Sequence, residues 1–177
     1  SGDMKAYAFK TTDLGKTWTN IIPNDDVTGF TRNIQEDYVN KDLLFLGTEL
    51  GLYITINGGD KWSKFTKNVP PVAIHYIELQ ANTNDLVMGT HGRGVIIIDD
   101  ISPLREINET NLSKKLYFFE RDEFEIQEFG GFADNFGRET QFIGANPSLS
   151  CQIQYLLPRR HTFGKMTMEI QDMKGNK

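Results

Sequence analysis

One cysteine, Cys151, is the chain's whole complement of thiols. No internal disulfide can form, and there is no Cys-x-x-Cys metal or redox motif. Set in a run that reads as strand, Cys151 is simplest as a small buried hydrophobe. No apolar run approaches the roughly 18 residues of a membrane-crossing helix, and no leader peptide is visible. Basic residues form no dense stripe: Lys114-Lys115 and Arg159-Arg160 stand alone, and the net charge is −5. A nucleic-acid partner is therefore not expected. Gly-x-Ser-x-Gly, P-loop, His-Glu-x-x-His and Gly-x-Gly-x-x-Gly patterns are all missing, as is a calcium loop of the Asp-x-Asp-x-Asp-Gly type. No metal site and no cofactor is expected. Convincing 3.6-residue periodicity is also lacking over the first hundred residues.

What is present is turn-rich and strand-rich. The 177 residues are 38% apolar and 24% charged, with 16 glycines, enough for a real core and unlike a disordered chain. Short runs of Val, Ile, Phe, Tyr and Thr alternate with Gly, Asn and Asp. Strands are expected at Ala6–Thr11, Thr17–Ile22, Phe30–Gln35, Leu43–Thr48, Gly51–Ile56, Trp62–Thr66, Ile74–Gln80, Asp85–Thr90 and Val95–Asp99. Strands every ~8–12 residues mean an all-β sandwich, barrel or propeller.

A repeat decides among these. Thr11-Thr12-Asp13-Leu14-Gly15-Lys16-Thr17-Trp18 recurs about 44 residues later as Thr55-Ile56-Asn57-Gly58-Gly59-Asp60-Lys61-Trp62. Independently, Leu46-Gly47-Thr48-Glu49-Leu50-Gly51-Leu52-Tyr53-Ile54 recurs about 42 residues later as Met88-Gly89-Thr90-His91-Gly92-Arg93-Gly94-Val95-Ile96-Ile97, with one residue inserted. A period of about 40–45 residues is the size of a four-stranded propeller blade. Thr28–Lys67 is then one complete unit, preceded by two strands of an earlier one. Three strands of a later unit follow it, with Ile101–Ile107 as a degenerate fourth.

The first marker is an Asp-box, Ser/Thr-x-Asp-x-Gly-x-Thr-Trp, and its chemistry is local. The carboxylate of Asp13 accepts backbone N–H groups that a tight turn leaves without ladder partners. Gly15 and Gly59 permit positive φ. Trp18 and Trp62 offer large apolar surfaces to the space between neighbouring sheets. Asn57 replaces Asp in the second copy and keeps an acceptor oxygen. Thr11, Thr17 and the other box residues are thus read as structural.

The boxes resemble the BNR/Asp-box repeats of sialidases and sortilin-type propellers. Gly89–Leu104 is similar to the last blade of large bacterial sortilin-like proteins that carry the label glycosyl hydrolase. Gly144-Ala145-Asn146-Pro147 with Gln152–Leu157 and Met166–Gly175 is similar to the segment that follows, which opens a β-sandwich. The resemblance implies the C-terminal blades of a propeller over 1–107, a linker over 108–140, and the start of an Ig- or FnIII-like sandwich over 141–177. It implies a periplasmic or extracellular location and a glycoside hydrolase acting on glycans; the alternative is a non-catalytic propeller that binds protein or carbohydrate. Sialidase chemistry would need an arginine triad, a Tyr–Glu nucleophile pair and an Asp acid drawn from several blades. Phe30-Thr31-Arg32-Asn33-Ile34 is only a partial echo of its arginine motif, and this stretch alone lacks a full catalytic set. Open blades further imply packing against the remainder of the propeller or another chain.

The boxes occupy third-to-fourth-strand turns. The second-to-third-strand turns, Thr48–Gly51 and Thr90–Gly94, therefore project from the opposite face. His91 and Arg93 are the ligand candidates there: Gly92 and Gly94 allow close approach and Arg93 can grip a carboxylate with both arms. The plain structural alternative pairs Arg93 with Asp99 or Asp100. Glu49 occupies the equivalent turn and is otherwise a solvated turn residue, as His75 is otherwise a packed one. Beyond Ile107, Asn108–Lys115 reads as linker or a short helix capped by Asn108 or Thr110. Leu116–Phe119, Gln152–Leu157 and Lys165–Gln171 read as strands, and Phe129–Asn135 as loop.

Overall fold

Apolar runs with no polar break, such as Leu43-Leu44-Phe45-Leu46, belong to strands covered on both faces, and this rule organises the molecule. The computed structural model describes residues 2–22, 25–121, 152–172 and 174–175, which fall into two compact units, 1–111 and 112–177. The strands are β1 (Phe9–Lys10), β2 (Thr19–Asn20), β3 (Thr31–Glu36), β4 (Leu44–Thr48), β5 (Gly51–Thr55), β6 (Ser63–Phe65), β7 (Ile74–Gln80), β8 (Asp85–Thr90) and β9 (Val95–Ile98). Two single-turn helices follow, α1 (Ser102–Arg105) and α2 (Glu109–Leu112), then β10 (Tyr117–Phe118) and β11 (Tyr155–Leu156). Pairing is antiparallel throughout, in the orders β1-β2, β3-β4-β5-β6, β7-β8-β9 and β10-β11. The described fold is thus all-β, built from open antiparallel sheets.

Within the first unit the sheets stack. Side chains of β4 and β5 point alternately to two different cores. Leu43, Phe45, Leu52 and Ile54 join Ile74, Ile77, Leu79, Leu86 and Met88 in one cluster. Leu44, Leu46, Tyr53 and Trp62 join Ala8, Ile22 and Val27 in the other. The four-stranded sheet is therefore filled between the β1-β2 hairpin and the three-stranded sheet. Each fully buried Leu, Ile or Phe contributes roughly 1.5–3 kcal/mol, so these two layers dominate the unit's stability.

The expected fourth strand at Ile101–Ile107 is not a strand. Asp100 takes positive φ (48°), and its carboxylate accepts the Ser102 N–H and hydroxyl. Pro103 then sits in the first turn of α1, where its locked φ suits a helix and its missing N–H costs nothing. Ile101 is nonetheless buried in the core, so the segment closes the sheet's end without extending it. Among the described residues β9 has only β8 beside it.

In the second unit β10 and β11 pair within the expected strands at 116–119 and 152–157. At the end of the first unit Asn108 caps α2 by accepting the Asn111 N–H. Among the described residues Lys165–Gln171 pairs with no strand, which corrects that expectation; alternation alone does not supply a partner strand. Asp172 accepts the Lys174 N–H and closes a turn with Gly175. Phe129–Asn135, Gly144–Pro147 and Cys151 lie outside the described residues.

Candidate functional site

The two boxes have one hydrogen-bond pattern. In the first, the Asp13 carboxylate accepts the Thr17 N–H (2.9 Å) and hydroxyl (2.7 Å) and the Thr11 hydroxyl (2.8 Å), while Thr11 Oγ1 accepts the Gly15 N–H. In the second, Asn57 Oδ1 accepts the Lys61 N–H (3.1 Å) and the Thr55 hydroxyl (2.7 Å), and Thr55 Oγ1 accepts the Gly59 N–H. The Thr17 N–H, then the Thr17 and Thr11 hydroxyls, bring the Asp13 carboxyl down to about 2. That is a carboxylate fixed by its turn, not an acid poised to donate.

The tryptophans differ. Trp62 is 3% exposed and donates from Nε1 to the Ile21 carbonyl of the preceding hairpin at 2.7 Å. Trp18 is 60% exposed and bonds only to Gly15 O of its own turn, so the expectation that both fill the space between sheets holds for Trp62 alone. Gly59, at φ 108°, lies so close to the same hairpin that an added Cβ would stand 2.7 Å from Ile21 Cβ and 2.9 Å from its carbonyl oxygen. Gly59→Ala is expected to cost about 2–3 kcal/mol through backbone strain and forced separation of the layers, read as a fall in the urea midpoint with unchanged m-value.

On the opposite face the repeat continues in a feature that local sequence does not reveal. The β3-β4 ladder skips between Thr31 and Asn33, and the β7-β8 ladder skips between Ile74 and Tyr76. The residues at the two bulges, Arg32 and His75, are equivalent. Each meets the residue after its Gly-Thr turn marker. Arg32 Nε donates to Glu49 Oε2 at 2.6 Å, and the His75 ring stacks on His91, with centroids 5.6 Å apart and planes 17° off parallel. Backbone bonds fix both turns, from Glu49 N–H to Phe30 O and from His91 N–H to Ala73 O. Thr48 and Thr90 brace them by donating to Gly51 O and Gly94 O. Bulges re-aim side chains in this way.

Between the bulges lies an open cavity of about 460 Å³ lined by Phe30, Thr31, Arg32, Asn33, His75 and Tyr76. Arg32 lies over the Phe30 ring at 4.8 Å. Asn33 Oδ1 is buried and finds no hydrogen-bond partner among the described residues. Two of the candidate residues, Glu49 and His91, thus stand behind the cavity wall as partners of Arg32 and His75. Arg93 is exposed on the Thr90–Gly94 turn and forms no ion pair among the described residues. Asp100 serves α1 instead. Arg32, Asn33 and Tyr76 were not legible as site residues, because a bulge is a register event and not a composition. Among the described residues no three His, Cys, Asp or Glu side chains gather as a metal site, and no helix is long and apolar enough to cross a membrane. No family model, curated protein or solved structure matches the chain.

Proposed function

We propose that residues 1–107 are consecutive blades of an Asp-box β-propeller and that they form a non-catalytic carbohydrate-binding module, working outside the cytoplasm as the resemblance implies. The observation that carries the ligand reading is the cavity between the repeated bulges. Its wall offers nitrogen donors on Arg32 and His75 and the exposed ring of Tyr76 (75%). Hydroxyl-rich ligands suit a shallow site with few convergent polar groups and one aromatic platform. The two boxes and the doubly covered four-stranded sheet support the propeller reading, since blades stack through both faces. Hydrolysis is the weaker reading. It requires two carboxyl groups set across the sugar, and Glu49, the carboxylate beside this cavity, is held by Arg32.

A glycan array on the intact chain, followed by calorimetry on the strongest binder, tests this. Tyr76→Ala is expected to weaken binding at least tenfold while leaving the melting temperature unchanged. An empty array, or wild-type affinity in the Tyr76 variant, overturns the reading.

A further inference from the structure

The second box carries a chemical liability that the first does not. Asn57-Gly58 is the chain's one Asn-Gly pair. In such a pair the backbone nitrogen attacks the preceding side-chain amide most readily, because glycine sets no Cβ in its path. In the first box the same two positions are Asp13 and Leu14. Leu14 reaches φ 59° with its side chain in solvent. Gly58 takes φ 69°, but a Cβ there would stand 3.2 Å from Asp42 Oδ1. Asp42 therefore favours glycine after Asn57, and the reactive pair comes with it.

The folded turn occupies both reacting groups. Attack requires the Gly58 nitrogen to lose its proton and reach Asn57 Cγ. The Gly58 N–H instead donates to the Asp42 carbonyl at 2.9 Å. The Asn57 side chain is held by its oxygen, since Oδ1 accepts the Thr55 hydroxyl at 2.7 Å and the Lys61 N–H at 3.1 Å. Both bonds must break before the amide can turn. Among the described residues its Nδ2 donates to nothing. The group that deamidation removes is thus the one the turn does not use.

We propose that Asn57 is a deamidation site that the folded second box holds closed, and that the same turn accepts the aspartate product. Hydroxide takes the Gly58 amide proton, and the nitrogen forms a bond to Asn57 Cγ. The Cγ–Nδ2 bond breaks, ammonia leaves, and a cyclic imide remains. Water then opens the ring. Cleavage of the Cγ–N bond leaves aspartate in the normal chain. Cleavage of the backbone C–N bond leaves isoaspartate, which lengthens the main chain by one methylene. Aspartate keeps both acceptor bonds, as Asp13 does with Thr11 and Thr17. Isoaspartate inserts its methylene into a turn closed by bonds two to four residues long, and the box cannot reform. Opening of the turn, local or global, therefore sets the rate of modification.

Peptide mapping by mass spectrometry tests the first half, on the full 177-residue chain held at one mildly alkaline pH and temperature in buffer and in urea. Conversion at Asn57 is expected to be at least tenfold slower in buffer. Equal rates, or no conversion in urea, overturn the proposal. Thermal unfolding tests the second half. Asn57→Asp is expected to melt with the wild type, and Asn57→Ala several degrees lower because alanine supplies no acceptor. An Asn57→Asp variant that melts clearly below the wild type overturns the proposal as well.

Discussion

Arg105→Ala is expected to lower the unfolding free energy of the first unit by about 3–5 kcal/mol, the cost of stranding a buried charge. Arg105 lies on α1, and its guanidinium grips Asp37 through Nε and Nη2 at 2.9–3.1 Å while Nη1 donates to Asn84. The Asp37 side chain is fully buried, and its carboxylate also accepts the Val39 and Asn40 N–H groups. Asn40 in turn donates to the Arg105 carbonyl. One side chain thus ties the end of the three-stranded sheet to the β3-β4 turn of the four-stranded sheet. Burial alone would raise the Asp37 carboxyl; the Arg105 fork and the two N–H groups more than offset it and hold it below the ordinary carboxylate value. A depressed native pKa stabilises the fold above the unfolded value near 4, and the contribution is lost as pH falls through the native value. Removing Arg105 leaves the burial without its counterweight, so the acid transition moves to higher pH. Arg105→Lys retains the charge and loses the fork, and should fall between the two. Urea unfolding at neutral pH and an acid titration followed by far-ultraviolet dichroism check both statements. An Arg105→Ala variant within about 1 kcal/mol of wild type would show that the clasp is ornamental.

Why the strands were legible and the clasp was not is a matter of range. Strand positions from Thr31 to Ile98 follow from short runs of β-branched and aromatic residues and from turn residues acting within a few positions, and the boxes are closed by side chains two to four residues from the groups they satisfy. Asp37 and Arg105 are 68 residues apart, and no local pattern announces their meeting. Arg32 and His75 were hidden differently: both lie in well-placed strands, but the bulge that turns them toward the cavity exists only in the pairing with β4 and β8. At Ser102-Pro103 a local signal competes with the repeat. The period asked for a fourth strand there, whereas Asp100 with Ser102-Pro103 spells a capped helical turn. Of the candidate site, the two turns were placed correctly by strand order, while the cavity itself required the register.

The same distinction separates the two tryptophans, which sit at one position of one motif and should respond oppositely to truncation. Trp62→Ala is expected to cost about 3–5 kcal/mol, since it empties a large volume from the layer between the hairpin and the four-stranded sheet. It also leaves the Ile21 carbonyl, which now accepts from the indole at 2.7 Å, without that donor. Trp18→Ala should stay within about 0.5 kcal/mol of wild type, because its ring covers little beyond its own turn and its one hydrogen bond is to Gly15 O. Thermal and urea unfolding of both variants, followed by far-ultraviolet dichroism so that the lost fluorophore does not matter, separates the cases. Equal destabilisation by both would mean that the indole stabilises its own hairpin and that the layer contact adds nothing. A large effect confined to Trp62 means the opposite: the box builds the turn through Thr and Asp or Asn, and its tryptophan acts only where a preceding layer supplies a carbonyl and a surface to cover. On that outcome the difference between the two costs measures what one layer interface contributes.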